Sequence, residues 1–289
     1  MKKILTVCCL QFSIHIYSQI PTGTDIWLLD MKYDKGAFSF SNAINITNRE
    51  GYDNQPAFSP DDKYILYSAI HEDKQADIYK YDIKTKGTSK FTNTPESEYS
   101  PTFMPGGKYI SSVRVEIEKD SAQRLWKFSA EGGNAQLVMD KIDSVGYHCW
   151  INNDSLVLFI LTKPFTLQAV NIRDQKTKII AANIGRSIHS FNKQVFFTKE
   201  IDSTKWICSI DKKEIILKTI ACIKNSEDFV LYKEYFIMAD KNKLFKYTPG
   251  KSTGWEEIAD LKQFGITKVT RIAISHDGKK MALVDNKSL

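Results

Sequence analysis

The feature that most constrains this chain is an internal repeat. Gln55-Pro56-Ala57-Phe58-Ser59-Pro60-Asp61-Asp62-Lys63-Tyr64-Ile65 and Ser100-Pro101-Thr102-Phe103-Met104-Pro105-Gly106-Gly107-Lys108-Tyr109-Ile110 share one pattern: Pro-x-Phe, x-Pro, a two-residue turn, Lys-Tyr-Ile. A third copy, Ala273-Ile274-Ser275-His276-Asp277-Gly278-Lys279-Lys280-Met281, lies near the end of the chain. Each copy reads as an apolar strand, a tight turn of Asp and Gly, which accept the backbone angles a hairpin needs, and a second apolar strand. A third strand repeats as Asp25-Ile26-Trp27-Leu28-Leu29-Asp30 and Asp77-Ile78-Tyr79-Lys80-Tyr81-Asp82, with weaker relatives at Leu125-Trp126, Lys205-Trp206 and Leu244-Phe245. A fourth ends alike in Asn45-Ile46-Thr47-Asn48 and Lys90-Phe91-Thr92-Asn93.

The first-strand markers Phe58, Phe103, Trp150, Phe191, Tyr232 and Ile274 recur every ~41–47 residues, close to the roughly 40–45 of a four-stranded propeller blade. The fold class this predicts is all-β, a six-bladed β-propeller of four-stranded antiparallel blades. The phase of the ends supports it. Residues Asp25–Met31 and Phe38–Thr47 are a third and a fourth strand with no first or second before them. Arg271–Ser275 and Lys280–Asp285 are a first and a second with none after. Two N-terminal and two C-terminal strands then complete one blade, and the ring has no open sheet edge. The expected domains are a signal peptide at 1–18 and one propeller at 19–289. Lys2 and Lys3, the largely apolar run Ile4–Tyr17 and the small Ser18 make up the export signal, which is too short and polar to span a membrane.

The Pro-x-Phe-Ser-Pro-Asp-Asp-Lys and Asp-Ile-Tyr segments resemble the repeats of TolB-type propellers, a subgroup of WD-like repeats. The resemblance extends over the expected mature chain and is strongest in the blades beginning at Asp53 and Glu98. It implies the fold. Tol-system proteins carry an extra N-terminal domain before the propeller, for which the few residues between Ser18 and Asp25 leave no room. Prolyl-peptidase-type enzymes add an α/β-hydrolase domain; the one Gly-x-Ser-x-Gly string here, Gly250-Lys251-Ser252-Thr253-Gly254, is expected to join two strands instead of the strand and helix of a nucleophile elbow.

A hydrophobic content of 42% with 26% charged residues is that of a folded protein. The net charge of +6, which loss of Lys2 and Lys3 reduces to about +4, is dispersed and gives no nucleic-acid footprint. Cys149, Cys208 and Cys222 remain after export. Cys208 with Cys222 is the one pair worth testing for a bridge. No His-Glu-x-x-His or Cys-x-x-Cys motif predicts a metal, and no cofactor is expected. Gly250-Lys251-Ser252-Thr253 is similar to the end of a phosphate loop, but Phe245 stands in place of the first glycine. Trp27, Tyr79, Trp126, Trp150 and Trp206 fall in strand patterns and are expected to pack between blades. Trp255, at a loop-to-strand junction, is an interface candidate.

Loops entering the innermost strands ring one mouth of a propeller's channel. Counting back from the first-strand proline places Asp53, Glu98, Val145, Arg186, Glu227 and Val269 there, and the proline positions themselves add His148 and His189. The predicted ligand- or partner-binding residues are Asp53, Glu98, Tyr99, Arg186, His189 and Glu227, with no catalytic residue. Asp53 and Glu98 have a second reading as caps of loop amides. The expected function is a non-catalytic binding scaffold of the bacterial periplasm or cell envelope, a monomer that engages an envelope protein or a small ligand at the channel mouth. A propeller lyase or hydrolase with its active site there is the alternative.

Overall fold

The structure is a computed structural model describing residues 23–211 and 215–287. The export signal predicted at 1–18, with Cys8 and Cys9, lies outside the described residues. Among the described residues, two short 3-10 segments aside (Ile117–Lys119 and Leu261–Phe264), the regular structure is entirely β.

Strands β1 (Thr24–Asp34) and β2 (Ala37–Asn45) open the fold. Then follow β3 (Tyr52–Phe58), β4 (Tyr64–Ile70), β5 (Ala76–Asp82) and β6 (Thr88–Lys90), and β7 (Ser97–Phe103), β8 (Tyr109–Glu116), β9 (Ala122–Ser129) and β10 (Gln136–Leu137). The middle holds β11 (Val145–Trp150), β12 (Ser155–Ile160), β13 (Thr166–Asn171) and β14 (Lys176–Ala182), then β15 (Ile184–Phe191), β16 (Gln194–Ile201), β17 (Thr204–Ile210) and β18 (Ile216–Ala221). The last are β19 (Phe229–Tyr232), β20 (Tyr235–Asp240), β21 (Lys243–Tyr247), β22 (Glu256–Asp260), β23 (Val269–Ile274) and β24 (Lys280–Asn286). All the sequence markers from Phe58 to Ile274 fall in the first strands of their groups.

Strands β7–β10, β11–β14, β15–β18 and β19–β22 form separate four-stranded antiparallel sheets. The other eight strands form one sheet, which consists of the antiparallel meanders β23-β24-β1-β2 and β3-β4-β5-β6 joined by the single parallel bridge Thr24↔Tyr52. The chain ends therefore meet in the predicted phase. Strand β1 runs antiparallel to β24 from Thr24↔Asn286 to Asp30↔Lys280. Ion pairs flank this ladder, Lys280 Nζ to Asp30 at 2.7 Å and Lys287 Nζ to Asp25 at 2.9 Å.

Alternation within the second strands builds the core, because successive side chains of a strand face opposite ways. In β24, Ala282 and Val284 join Ile26 and Leu28 against Ile65, Tyr67 and Ala69 of β4. Met281 and Leu283, on the other face, join Leu29 and Met31 against Ile237 and Ala239 of β20. The same arrangement continues from group to group. Leu66 and Ile78 meet Ile110, Val113 and Leu125 meet Leu156 and Leu158, Val157 and Phe159 meet Val195 and Phe197, and Ile207 meets Phe236 and Met238. Each such Val, Leu, Ile, Met or Phe side chain contributes roughly 1.5–3 kcal/mol on burial. The first strands β3, β7, β11, β15, β19 and β23 touch in that order, and β23 returns to β3.

Trp150 is buried, and Trp27, Tyr79 and Trp206 pack against the core clusters as predicted. Trp126 differs. Its indole donates to Glu116 at 2.6 Å and its ring lies 4.2 Å from the Arg114 guanidinium carbon, so it serves a polar network. Trp255 donates to the Ala221 carbonyl at 2.8 Å and packs on Tyr247. Cys149, Cys208 and Cys222 are all free thiols.

Candidate functional site in the axial cavity

Five of the six first strands, all but β19, share a local irregularity that decides what faces the axis. Their pairing with the second strands breaks register between Asn54 and Ala57, Tyr99 and Thr102, Val145 and Tyr147, Ile184 and Ile188, and Val269 and Arg271. A bulge adds a residue and re-aims the side chains that follow it. Gln55 and Ser100, inside their bulges, adopt φ of 60° and 56°, in the left-handed region. Gln55, Ser100, Tyr147, Arg186 and Arg271 all lie in or at the end of a bulge, and all line a cavity of about 750 Å³. All the first strands contribute to its wall, which ends at the turns holding Pro60, Gly106 and His276. The volume is within the ~300–1,000 Å³ typical of ligand pockets.

Hydrogen bonds stitch the wall together. Gln55 Oε1 accepts from Ser68 Oγ at 2.7 Å and from the Ser100 amide at 2.8 Å, linking β3 to β7. Ser111 Oγ lies 2.7 Å from His148 Nε2 and accepts from the Trp150 indole at 2.9 Å. Arg271 Nη2 donates to the Tyr147 hydroxyl at 2.9 Å, joining β23 to β11. Arg186 Nη2 donates to the Thr270 carbonyl at 3.0 Å, and Asp228 Oδ2 accepts from the Ile272 amide at 2.8 Å.

Burial sets the charges. It pushes His148 down to about 3 and lowers His189 as well, although Asp228 opposes the shift, so both rings are neutral at pH 7. It pushes the nearby Tyr52 hydroxyl up to about 12 against the pull of Arg271. The charged groups on the wall are two guanidiniums, Arg186 and Arg271, and one carboxylate, Asp228.

The predicted site residues divide. Arg186 and His189 line the cavity, with His189 Nε2 at 3.3 Å from Ser187 Oγ. Asp53 and Glu98 do not line it. They precede the bulges, and both are fully buried. Asp53 takes Arg49 at 2.7 Å, and burial raises it to about 6. Glu98 takes the hydroxyls of Thr92 and Thr94 and Arg114 Nε, and burial raises it too. Side chains, rather than loop amides, are their partners. Tyr99 is half-buried beside Ser97, off the wall. Glu227 accepts from the Arg186 amide and from Lys205 Nζ at 2.7 Å, in a neighbouring depression that Arg186 also lines. Val145 and Val269 are buried. Among the described residues, no three His, Cys, Asp or Glu side chains gather as a metal-ligand set.

Tyr147, Asp228 and Arg271 were absent from the predicted set. Arg271 carried a usable signal, a lone arginine within the apolar strand Val269-Thr270-Arg271-Ile272-Ala273-Ile274. Tyr147 and Asp228 carried none, because only the bulges and the ring bring them to the axis.

No family model matches the chain. Solved structures do. The chain is similar to a putative TolB from Agrobacterium tumefaciens, with a TM-score of 0.70, 11% identity, and coverage of 93% of this chain and 100% of that one. It is also similar to TolB from Acinetobacter baumannii (TM-score 0.59, 12% identity, 94% and 66% coverage). An oligogalacturonate lyase from Vibrio parahaemolyticus matches with a TM-score of 0.54, 11% identity, and coverage of 86% and 83%. At such identities the likeness is one of fold, a TolB-like β-propeller.

Proposed function

We propose that this protein is an exported, monomeric binding propeller of six blades, and that its axial cavity holds a small ligand or a segment of an envelope partner. One observation carries the binding reading. Buried polar atoms in folded proteins are nearly always hydrogen-bonded. Among the described residues, nine buried side-chain atoms lack a protein partner, and four of them, Ser100 Oγ, His148 Nδ1, Arg186 Nε and Arg271 Nε, belong to the wall of this one cavity. Such unmet groups suit a site completed by a bound molecule. The blade count rests on the recurring four-stranded meanders and the cycle of first strands. The signal-like residues 1–18 and the TolB-like fold support a periplasmic or extracellular location. Among the described residues, no helix is long and apolar enough to cross a membrane.

A second reading, a lyase or hydrolase, draws on neutral His189, Asp228 and two arginines sharing one cavity. Binding is preferred because His148 and His189 are already engaged by Ser111 and Ser187. Ser190 lines the cavity and is half-buried on β15. Filling the cavity with Ser190→Trp is expected to abolish capture of ligand from an envelope extract, followed by native mass spectrometry and pull-down, with the melting temperature unchanged. Undiminished capture by a folded S190W protein would move the binding site elsewhere.

A further inference from the structure

The chain has six arginines. Arg49, Arg114, Arg124 and Arg173 pair with Asp53, Glu98, Glu116 and Asp154. The other two, Arg186 and Arg271, both line the axial cavity, and neither pairs with a carboxylate among the described residues. Each gives one terminal nitrogen to a neutral oxygen, the Thr270 carbonyl or the Tyr147 hydroxyl, and each leaves a buried Nε without a partner. A guanidinium stays charged at any physiological pH, and removing it from water without a counter-charge is unfavourable. Asp228 is the one carboxylate on the wall, and one of its oxygens already serves the Ile272 amide. With His148 and His189 neutral, and His276 at the rim engaged by Asp62 at 3.0 Å, Arg186, Arg271 and Asp228 leave a single surplus positive charge along the first strands.

We propose that Arg186 and Arg271 bind the carboxylate of the ligand, and that its apolar body lies along Ile188, Val230, Ile272 and Trp150, which line the same cavity. This deepens the binding reading above and rests on it. The guanidinium fork fits a planar carboxylate through paired N–H donors. A monoanion cancels the surplus charge, whereas a phosphate monoester, with its charge near −2, would overshoot it. A small organic acid and the C-terminus of a peptide offer the same group.

The test uses the full mature chain in titration calorimetry at constant ionic strength. Its probes are 3-phenylpropionate and 3-phenylpropionamide, together with a pentapeptide ending in Phe as free acid and as C-terminal amide. At least one acid is expected to bind about tenfold or more tighter than its amide, the weight of charge-assisted hydrogen bonds. Arg271→Gln and Arg186→Gln are each expected to remove that preference. A preference confined to the small pair identifies a free acid as the source, and one seen with the peptides identifies a chain end. Equal binding of acid and amide, or binding of neither, overturns the proposal. The comparison on unaltered protein decides even if an arginine variant fails to fold. Should S190W abolish capture while no acid is preferred, the cavity reading survives and the carboxylate assignment fails. Should S190W capture normally, the cavity reading itself falls.

Discussion

Asp53 shows how one buried side chain ties stability to pH. It is fully buried with a single cationic partner, and burial lifts it from 3.8 to about 6. The folded protein therefore holds this proton more tightly than the unfolded chain does. Its contribution favours folding most below the unfolded value and is lost as pH rises through about 6. Urea denaturation of wild type and Asp53→Asn at pH 4.5 and 7.5 measures it. Relative to the variant, wild type is expected to gain up to about 2 kcal/mol on acidification. A difference that stays flat with pH would refute the assignment. The sequence made Asp53 visible as a repeat position but gave it the wrong surroundings, because its partner Arg49 comes from the loop before the strand. For Arg271 the reverse holds. The residue stood out as a charge in an apolar strand, yet its orphaned Nε depends on the opposite side of the ring.

At the scale of elements, the strands themselves were legible and their bulges were not. Pro-x-Phe, the Asp/Gly turns and the apolar second strands follow from hairpin chemistry and period-two burial, so each marker from Phe58 to Ile274 lies in a first strand. A bulge depends on how two strands pair, and no short motif announces one. Counting back from the proline therefore passed the cavity-facing residues and reached the inter-sheet positions of Asp53 and Glu98. Gly185 makes the point testable. It lies in the β15 bulge, where an added Cβ would clash with Glu227 Oε1 and Thr198 Oγ1. Gly185→Ala is expected to displace Glu227 from the Arg186 amide, cost roughly 1–3 kcal/mol from overpacking, and weaken ligand capture through Arg186. Denaturation and binding on the same preparation check both effects. An unchanged midpoint would show that the bulge is more pliant than its packing implies.

Across the whole molecule, the joining of the two ends follows from the strand phase written in the sequence. The β1–β24 ladder places Ile26 and Leu28 in one inter-sheet core and Leu29 and Met31 in the next. Deleting residues 25–47 removes all four. The expected result is loss of cooperative melting or a fall of more than about 10 °C, and unchanged melting would refute the closure. What the ring encloses was less legible. The axial cavity is assembled from segments roughly 45 residues apart, so its wall exists only once the cycle closes. The central claim is that this wall is completed by a ligand lying between Arg186 and Arg271. A crystal structure of the full mature chain with millimolar 3-phenylpropionate tests it most directly. The predicted result is one ordered carboxylate within hydrogen-bonding distance of both guanidiniums. A probe ordered on another face, or a cavity holding solvent alone with both Nε atoms still unpartnered, would contradict it.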